Sequence, residues 1–336
     1  MADASYTCVM GRDFSLVALA AALSLLAVAC GGAPSPTPKQ VIGTANVAFA
    51  GSLELVMDKY VGPAFTKKAG YHYEGRGAGS LGLAQEIRAQ EISPNVFISV
   101  GAAPLALLEP AYTRWAVRIA SSPLVVAYYP EGPHATELRQ ISQGKLPLKD
   151  LFSLMAQPAF RLGRTNPATD PQGEAFAMMV GLASHLYSFP QSEAAADLGG
   201  TNPGGQIFAE TALEAELQAG QLDAASAFRS EALQLGLPYI TLPASIDFGD
   251  PQDLVKYRAA SLQLTPTKLA HGFLLDIEAT VIGKSDRAAA ESFVGFLASS
   301  SGRAILTKEG YATPSPTLLG DSTAAPPSIR SAVKAG

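Results

Sequence analysis

One device occurs twice in the sequence and constrains what it can fold into: an apolar run ends in Gly-Ser, and a helical pattern begins at once. Val47-Ala48-Phe49-Ala50 runs into Gly51-Ser52-Leu53, and Gly75-Arg76-Gly77-Ala78 runs through Gly79-Ser80 into a helical stretch ending near Gln90. The first turn of a helix leaves N–H groups without intrahelical partners and carries the positive end of the helix dipole. Two such ends brought together form a receptor for something small and negative.

The same strand-then-helix rhythm runs through the chain from Val41. Apolar and β-branched runs predict strands over 42–50, 71–75, 96–100, 124–129, 161–164, 223–227, 239–242 and 273–282. Helical periodicity predicts helices over 53–69, 80–90, 148–154, 174–187, 212–219, 230–236, 288–299 and 302–309. Alternation of this kind predicts an α/β fold with a mainly parallel sheet. Residues 188–205 are polar and rich in Gly and Pro and read as a loop, and a Pro-rich tail is expected from Thr313. No internal repeat stands out. With 336 residues, 48% of them hydrophobic and 16% charged, the chain has material for two domains. A formal net charge of −5 with dispersed lysines and arginines gives no nucleic-acid footprint.

The only cysteines are Cys8 and Cys30, which excludes a disulfide framework and a zinc site built on cysteine spacing. Arg12 precedes an uncharged run from Phe14 to Ala29, the length of a signal-peptide core and too short for a membrane span. It ends Ala27-Val28-Ala29-Cys30-Gly31-Gly32, which resembles the lipobox of bacterial lipoproteins with Ala27 in place of the usual leucine. On this resemblance residues 1–29 are a signal peptide, Cys30 is lipidated, and the mature protein is anchored outside the cytoplasmic membrane or is periplasmic. Plain cleavage after Ala29 would leave Cys30 a free thiol, and Met10 is an alternative start to Met1. Residues 30–40, with Pro34, Pro36 and Pro38, read as an extended tether.

Several pieces together resemble the solute-binding components of ABC importers, and among them the molybdate/tungstate-binding proteins. In chain order they are Phe49-Ala50-Gly51-Ser52-Leu53, Gly77-Ala78-Gly79-Ser80, Asn95-Val96-Phe97-Ile98-Ser99, the run Leu124 to Tyr129, Asn166-Pro167-Ala168-Thr169-Asp170-Pro171-Gln172-Gly173, Phe228-Arg229-Ser230-Glu231-Ala232, Tyr239 to Pro243, and Ser301-Gly302-Arg303. The resemblance covers about 44–312. It implies a two-lobed periplasmic binding protein of type II, with mixed, mostly parallel sheets and two crossover hinge strands. It also implies a ligand in the cleft, closure by hinge bending, a membrane permease as partner, no cofactor and a monomer. Lobe one is then 41–122 plus 276–320, lobe two 123–275, and 321–336 a tail.

A tetrahedral oxyanion spreads its charge over four oxygens and is best met by many neutral donors in a dry cleft. The hydroxyls and N–H groups of Gly51, Ser52, Gly79 and Ser80 suit that demand. The competing reading makes both serines helix N-caps and nothing more. Asp170 before Pro171 has the form of an N-cap, and the resemblance also offers it as a ligand to the metal of the oxyanion. The tungstate-binding branch takes a second carboxylate from the segment holding Ala227, where this chain has none. Ser121 and Ser122 at the first crossover are candidate donors or a solvated turn. Phe228, Arg229 and Ser230 are candidates to close over the anion. Sulfate, a phosphonate or an organic anion is the alternative ligand.

Enzyme readings find less support. Gly77 to Gly82 fits G-x-G-x-x-G without the acidic partner about twenty residues on. Gly283-Lys284-Ser285 lacks the glycine a P-loop needs at Glu278. Ser142-Gln143-Gly144-Lys145 mimics S-x-x-K without its companion motifs. A secreted serine hydrolase would use Ser80 in an imperfect nucleophile elbow with His271 downstream.

Overall fold

In a computed structural model, strand β1 (Thr44–Ala50) lies inside a six-stranded sheet, flanked in parallel by β2 (His72–Ala78) and β3 (Val96–Val100). The structure describes residues 43–190 and 206–335. The expected signal peptide, the choice of Met1 or Met10, Cys30 with its lipid, and the tether lie outside the described residues, as does most of the loop 188–205.

β1 is apolar from Val47 to Ala50 because both of its faces are covered there, as in parallel sheets generally, while Asn46 near its start is exposed. Val47 and Phe49 enter a core with Met57, Phe65 and Phe293, while Ala48 on the opposite face packs with Leu83, Ile87 and Phe97. Beyond β3 the sheet continues antiparallel through β12 (Asp276–Val281), β4 (Trp115–Ser121) and β13 (Thr317–Gly320).

The second sheet holds β5 (Leu124–Tyr128), β6 (Leu162–Thr165), β7 (Ile207–Phe208), β8 (Ala224–Phe228) and β9 (Tyr239–Thr241), in the order β7-β6-β8-β5-β9. β6 pairs in parallel with β7 and β8, whereas β5 runs antiparallel to β8 and β9. Period-two alternation sends Val126 and Phe228 to the face covered by the helix Pro171–Tyr187, and Val125 and Ala227 to the face covered by the helix Glu210–Gln218. A separate hairpin joins β10 (Ser261–Thr265) to β11 (Lys268–His271).

The chain passes between the two sheets at 121–124 and again at 271–276, and the two passages lie side by side. Ser121 pairs with Asp276, and the Ser122 N–H donates to Leu275 O at 3.4 Å. This second passage shortens the strand expected over 273–282 to Asp276–Val281. The helix expected from Leu53 starts at Gly51 as a 3₁₀ turn and passes through a π-helical stretch at Met57–Val61.

The segment beyond Thr313, predicted as a Pro-rich tail, carries structure. β13 pairs with β4, and the helix Pro327–Ala335 buries Ile329 against the helix Arg287–Ala298. Pro327 stands at the first position of its helix, where a missing N–H costs nothing. Strand β4 was not foreseen, because Arg118 interrupts its apolar run.

Gly173, in the first turn of the helix Pro171–Tyr187, permits close packing on β6. A Cβ there would lie 2.5 Å from Thr165 O and 2.8 Å from Pro167 N. Gly173→Ala is therefore expected to destabilise the fold by about 1–3 kcal/mol, as overpacking does. Urea unfolding measures it, and an unchanged midpoint would contradict this packing.

Candidate functional site

A small pocket of about 10 Å³, room for no more than a single water, lies where the two crossovers meet the helix starts, lined by Ser52, Ser122, Ser230 and Tyr311, with Val100 and Phe228 as apolar sides. Ser52 comes from the turn after β1, Ser122 from the first crossover, and Ser230 from the turn after β8. The Ser230 N–H donates to Ser122 Oγ at 3.0 Å, and the Tyr311 hydroxyl donates to Ser52 O at 3.1 Å. The hydroxyls of Ser52 and Ser230 are buried; Ser52 lies beside the Glu210 carboxyl and Ser230 beside the Tyr311 hydroxyl, and neither makes a well-formed hydrogen bond. Poorly bonded buried hydroxyls are costly, so two at one pocket mark a place built for a polar guest.

Neither sequence serine acts as a helix N-cap. The cap residues are Ala50 and Gly79, and no side-chain cap bond forms at either helix. Ser80 is fully buried and its Oγ accepts the Val100 N–H at 3.2 Å, which places it behind the cavity wall and outside its lining. Gly79 faces the turn before Asp170 instead. A Cβ on Gly79 would lie 2.7 Å from Thr169 O, and the Gly82 N–H donates to that same oxygen at 2.9 Å.

Asp170 is an N-cap, its Oδ1 accepting the Gln172 N–H at 2.8 Å. It borders a second pocket, with Gly79 and Glu210, and not the serine cavity. Among the described residues no cluster of three or more His, Cys, Asp or Glu is arranged to hold a metal ion. Ser121 has its backbone tied to Ala312, at 2.9 and 3.0 Å, and does not line the cavity. Arg229 is exposed and is joined to the site only through its N–H, which donates to Pro123 O at 3.0 Å. Ala227 sits among Val125, Leu213 and Leu217, so a carboxylate at that position would be buried in hydrocarbon.

Three residues that sequence reasoning did not single out complete the neighbourhood. Glu210, buried at the start of its helix, accepts the Gly51 N–H through Oε2 at 2.7 Å. Glu231 accepts the Phe228 N–H at 2.7 Å and the Gln172 amide at 3.1 Å, while Gln172 in turn accepts the Ser226 hydroxyl at 2.8 Å. Tyr311 is the third. The only sequence hint was the Ser-Glu pair after Phe228, where an acid three residues past a helix boundary often turns back to the cap N–H.

Burial raises the pKa of Glu210 well above its ordinary value, and the Asp170 and Glu214 charges add to it against the influence of Ser52. Burial, then Glu214 and Glu210, raise Glu231 likewise. Asp170 is pushed up to about 7 by burial, partly offset by the Gln172 N–H and Thr165. Glu214 is also raised to about 7, chiefly by burial. A groove of about 390 Å³ opens beside the cavity, with Ser52, Glu54, Asp58, Lys59, Glu214 and Glu231 on its walls.

Against known proteins, residues 45–312 match the model of the bacterial extracellular solute-binding protein family. The chain belongs to that family. It is 31% identical over 260 residues to a Haloferax volcanii protein named as an ABC transporter molybdenum-binding protein, covering 77% of this chain and 78% of the relative. It is 28% identical over 238 residues to the molybdate/tungstate-binding protein of Pyrococcus abyssi, covering 64% of this chain and 67% of the other. Among solved structures, the periplasmic molybdate-binding protein of Azotobacter vinelandii superposes with a TM-score of 0.54 at 16% identity, covering 80% of this chain and 98% of that one. The sulfate-binding protein SubI of Mycobacterium tuberculosis gives 0.52 at 12% identity, covering 81% and 86%. Likeness at such identities speaks for the fold: two lobes of mixed α/β structure. The chain is thus a solute-binding protein of the ABC-transporter type. No helix among the described residues is long and apolar enough to cross a membrane.

The raised carboxylates have a consequence for stability. Asp170 and Glu214, each near 7 when folded, and Glu174 and Glu278, also raised to about 7 by burial, hold protons more tightly than the unfolded chain does. Their stabilising contribution is therefore complete below their ordinary pKa near 4 and is lost as pH rises through about 7. The contribution of these groups should make the ligand-free protein melt highest near pH 4, fall steadily toward about pH 7 and level off above about pH 8. A melting temperature that climbs over that interval would contradict these burials.

Proposed function

We propose that this protein is the extracytoplasmic, lipid-anchored binding component of an ABC importer, and that it captures molybdate or tungstate between two lobes without bond chemistry. One observation carries the reading: Ser52 and Ser230 come from opposite sheets and turn buried hydroxyls, neither in a well-formed hydrogen bond, into one small pocket that must widen from its volume of about 10 Å³ to admit an anion. Neutral donors in a dry space suit a tetrahedral dianion, which needs hydrogen bonds from several sides. The names of the relatives favour the same cargo.

On this reading residues 41–122 with 276–320 form one lobe and 123–275 the other, hinged at the paired crossovers. Bonds from Gly51 to Glu210, from Gly82 to Thr169 and from the Gln234 amide to Glu309 O at 2.9 Å join the two parts and must break for the cavity to open. Cys30 carries the lipid, residues 30–40 tether the body, and a membrane permease receives the anion from a monomer. The hydrolase reading fares worse: the Ser80 hydroxyl is engaged by Val100, and His271 is exposed on the β10–β11 hairpin.

Calorimetry with molybdate, tungstate, sulfate and phosphate tests the reading. Molybdate or tungstate should bind, and Ser52→Ala or Ser230→Ala should each weaken it about 10- to 100-fold, the worth of one hydrogen bond to a charged group. Ser80→Ala should cost less. Equal affinity in all three variants, or preference for sulfate, would overturn it.

A further inference from the structure

The Gly51 N–H, at the helix start that the sequence offers to an anion, is held by an internal one. Glu210 Oε2 sits 2.7 Å from it, and a Cβ added to Gly51 would strike the same carboxylate. The next residue, Ser52, lines the pocket and sets its hydroxyl beside the same carboxylate without a well-formed hydrogen bond. Glu210 is therefore one residue away from the bound anion's expected donors, at 4% exposure but bordering the second pocket, through which a proton can reach it from solvent.

The groups that face Glu210 come from every element around it and are acidic or neutral. Asp170 faces it from the turn before the helix Pro171–Tyr187, Glu214 from its own helix and Glu231 from the helix Arg229–Gln234. Ser52 and Tyr311 face it from the first sheet's side. No cation is among the groups that act on it. Lys59 lies on the wall of the adjoining groove, Lys268 acts on Glu174, and Arg229 is exposed. A dianion entering the serine pocket adds two charges to a neighbourhood that already holds four carboxyl groups, while the buried Arg164 on β6, the strand packed against the Glu210 helix, is not among the groups that act on Glu210.

We propose that anion capture by this cavity is proton-linked, with Glu210 the residue that must be neutral when a dianion occupies the site. The inference rests on the reading of the cavity as an oxyanion site. A neutral Glu210 still offers its carbonyl oxygen to the Gly51 N–H, and its own O–H becomes one more donor in a place that needs donors. The negative guest favours the protonated form, so the complex binds more protons than the free protein, and affinity falls as pH rises. For molybdate, tungstate and sulfate, fully ionised near neutrality, the proton comes from solvent. Glu210 thus sets the pH range of capture and is a positioning residue for the Gly51 N–H, distinct from the serines that contact the guest.

Calorimetric titration of the mature chain with molybdate, tungstate, sulfate and phosphate, from pH 6 to 9 in two buffers of different ionisation enthalpy, tests this. The expected result for a fully ionised anion is proton uptake that grows with pH toward about one per anion at the alkaline end of the range, with Kd rising by up to tenfold per pH unit there. Glu210→Gln, which keeps an acceptor for Gly51, should bind with little pH slope and take up no proton; its melting curve establishes that it is folded. Binding by the wild-type protein with no proton uptake and a flat Kd overturns the proposal and leaves the oxyanion reading standing. A slope that persists undiminished in a folded Glu210→Gln variant overturns the assignment to Glu210. Failure of every oxyanion to bind at any pH overturns both.

Discussion

The bond from the Gly51 N–H to Glu210 joins the turn after β1 to the helix covering the second sheet, one residue from the serine pocket. The N–H belongs to the turn that ends β1, the strand at the centre of the parallel half of the first sheet. The carboxylate belongs to a helix covering the second sheet. Because Gly51 has no Cβ, the carboxylate can approach, and because the carboxylate is there, a buried N–H is satisfied without water. The position of Ser52, and with it the cavity, follows from that approach.

Sheet topology supplies the other half of the arrangement. Both sheets are mixed because the chain leaves the first at Ser121, builds the second, and returns to lay β12 between β3 and β4. That return sets the two crossovers side by side and brings Ser122, Leu275 and the turn at Ser230 to one place. Residues far apart in the chain meet there, while each remains at the end of a short and rigid element. On the proposed reading, groups held at element ends are well placed to separate as lobes rotate.

Much of this was legible in the sequence. The apolar strand followed by Gly-Ser pointed to Ser52, and the family resemblance pointed to the segment Phe228-Arg229-Ser230; the structure brings Ser52 and Ser230 to the same pocket. Local pattern misled where a side chain's direction decides. Ser80 has the same local motif as Ser52, yet it turns toward the Val100 N–H. Arg229 sits between two residues that line the cavity and points outward. Glu210 and Tyr311 were not legible at all, since neither lies in a distinctive motif and both reach the site only through tertiary packing. The Pro-rich end shows the same limit: Pro327 reads as a breaker until the helix it begins finds the groove that buries Ile329.

The central claim is that one oxyanion sits between Ser52 and Ser230, and tungsten offers a direct view of it. Anomalous diffraction from crystals grown with tungstate locates the metal without reference to any side chain. The account predicts one strong peak in the cavity at the crossovers, within hydrogen-bonding reach of both hydroxyls through its oxygens. A peak in the acidic groove beside Glu54 and Asp58, or none while the protein is otherwise ordered, would contradict it.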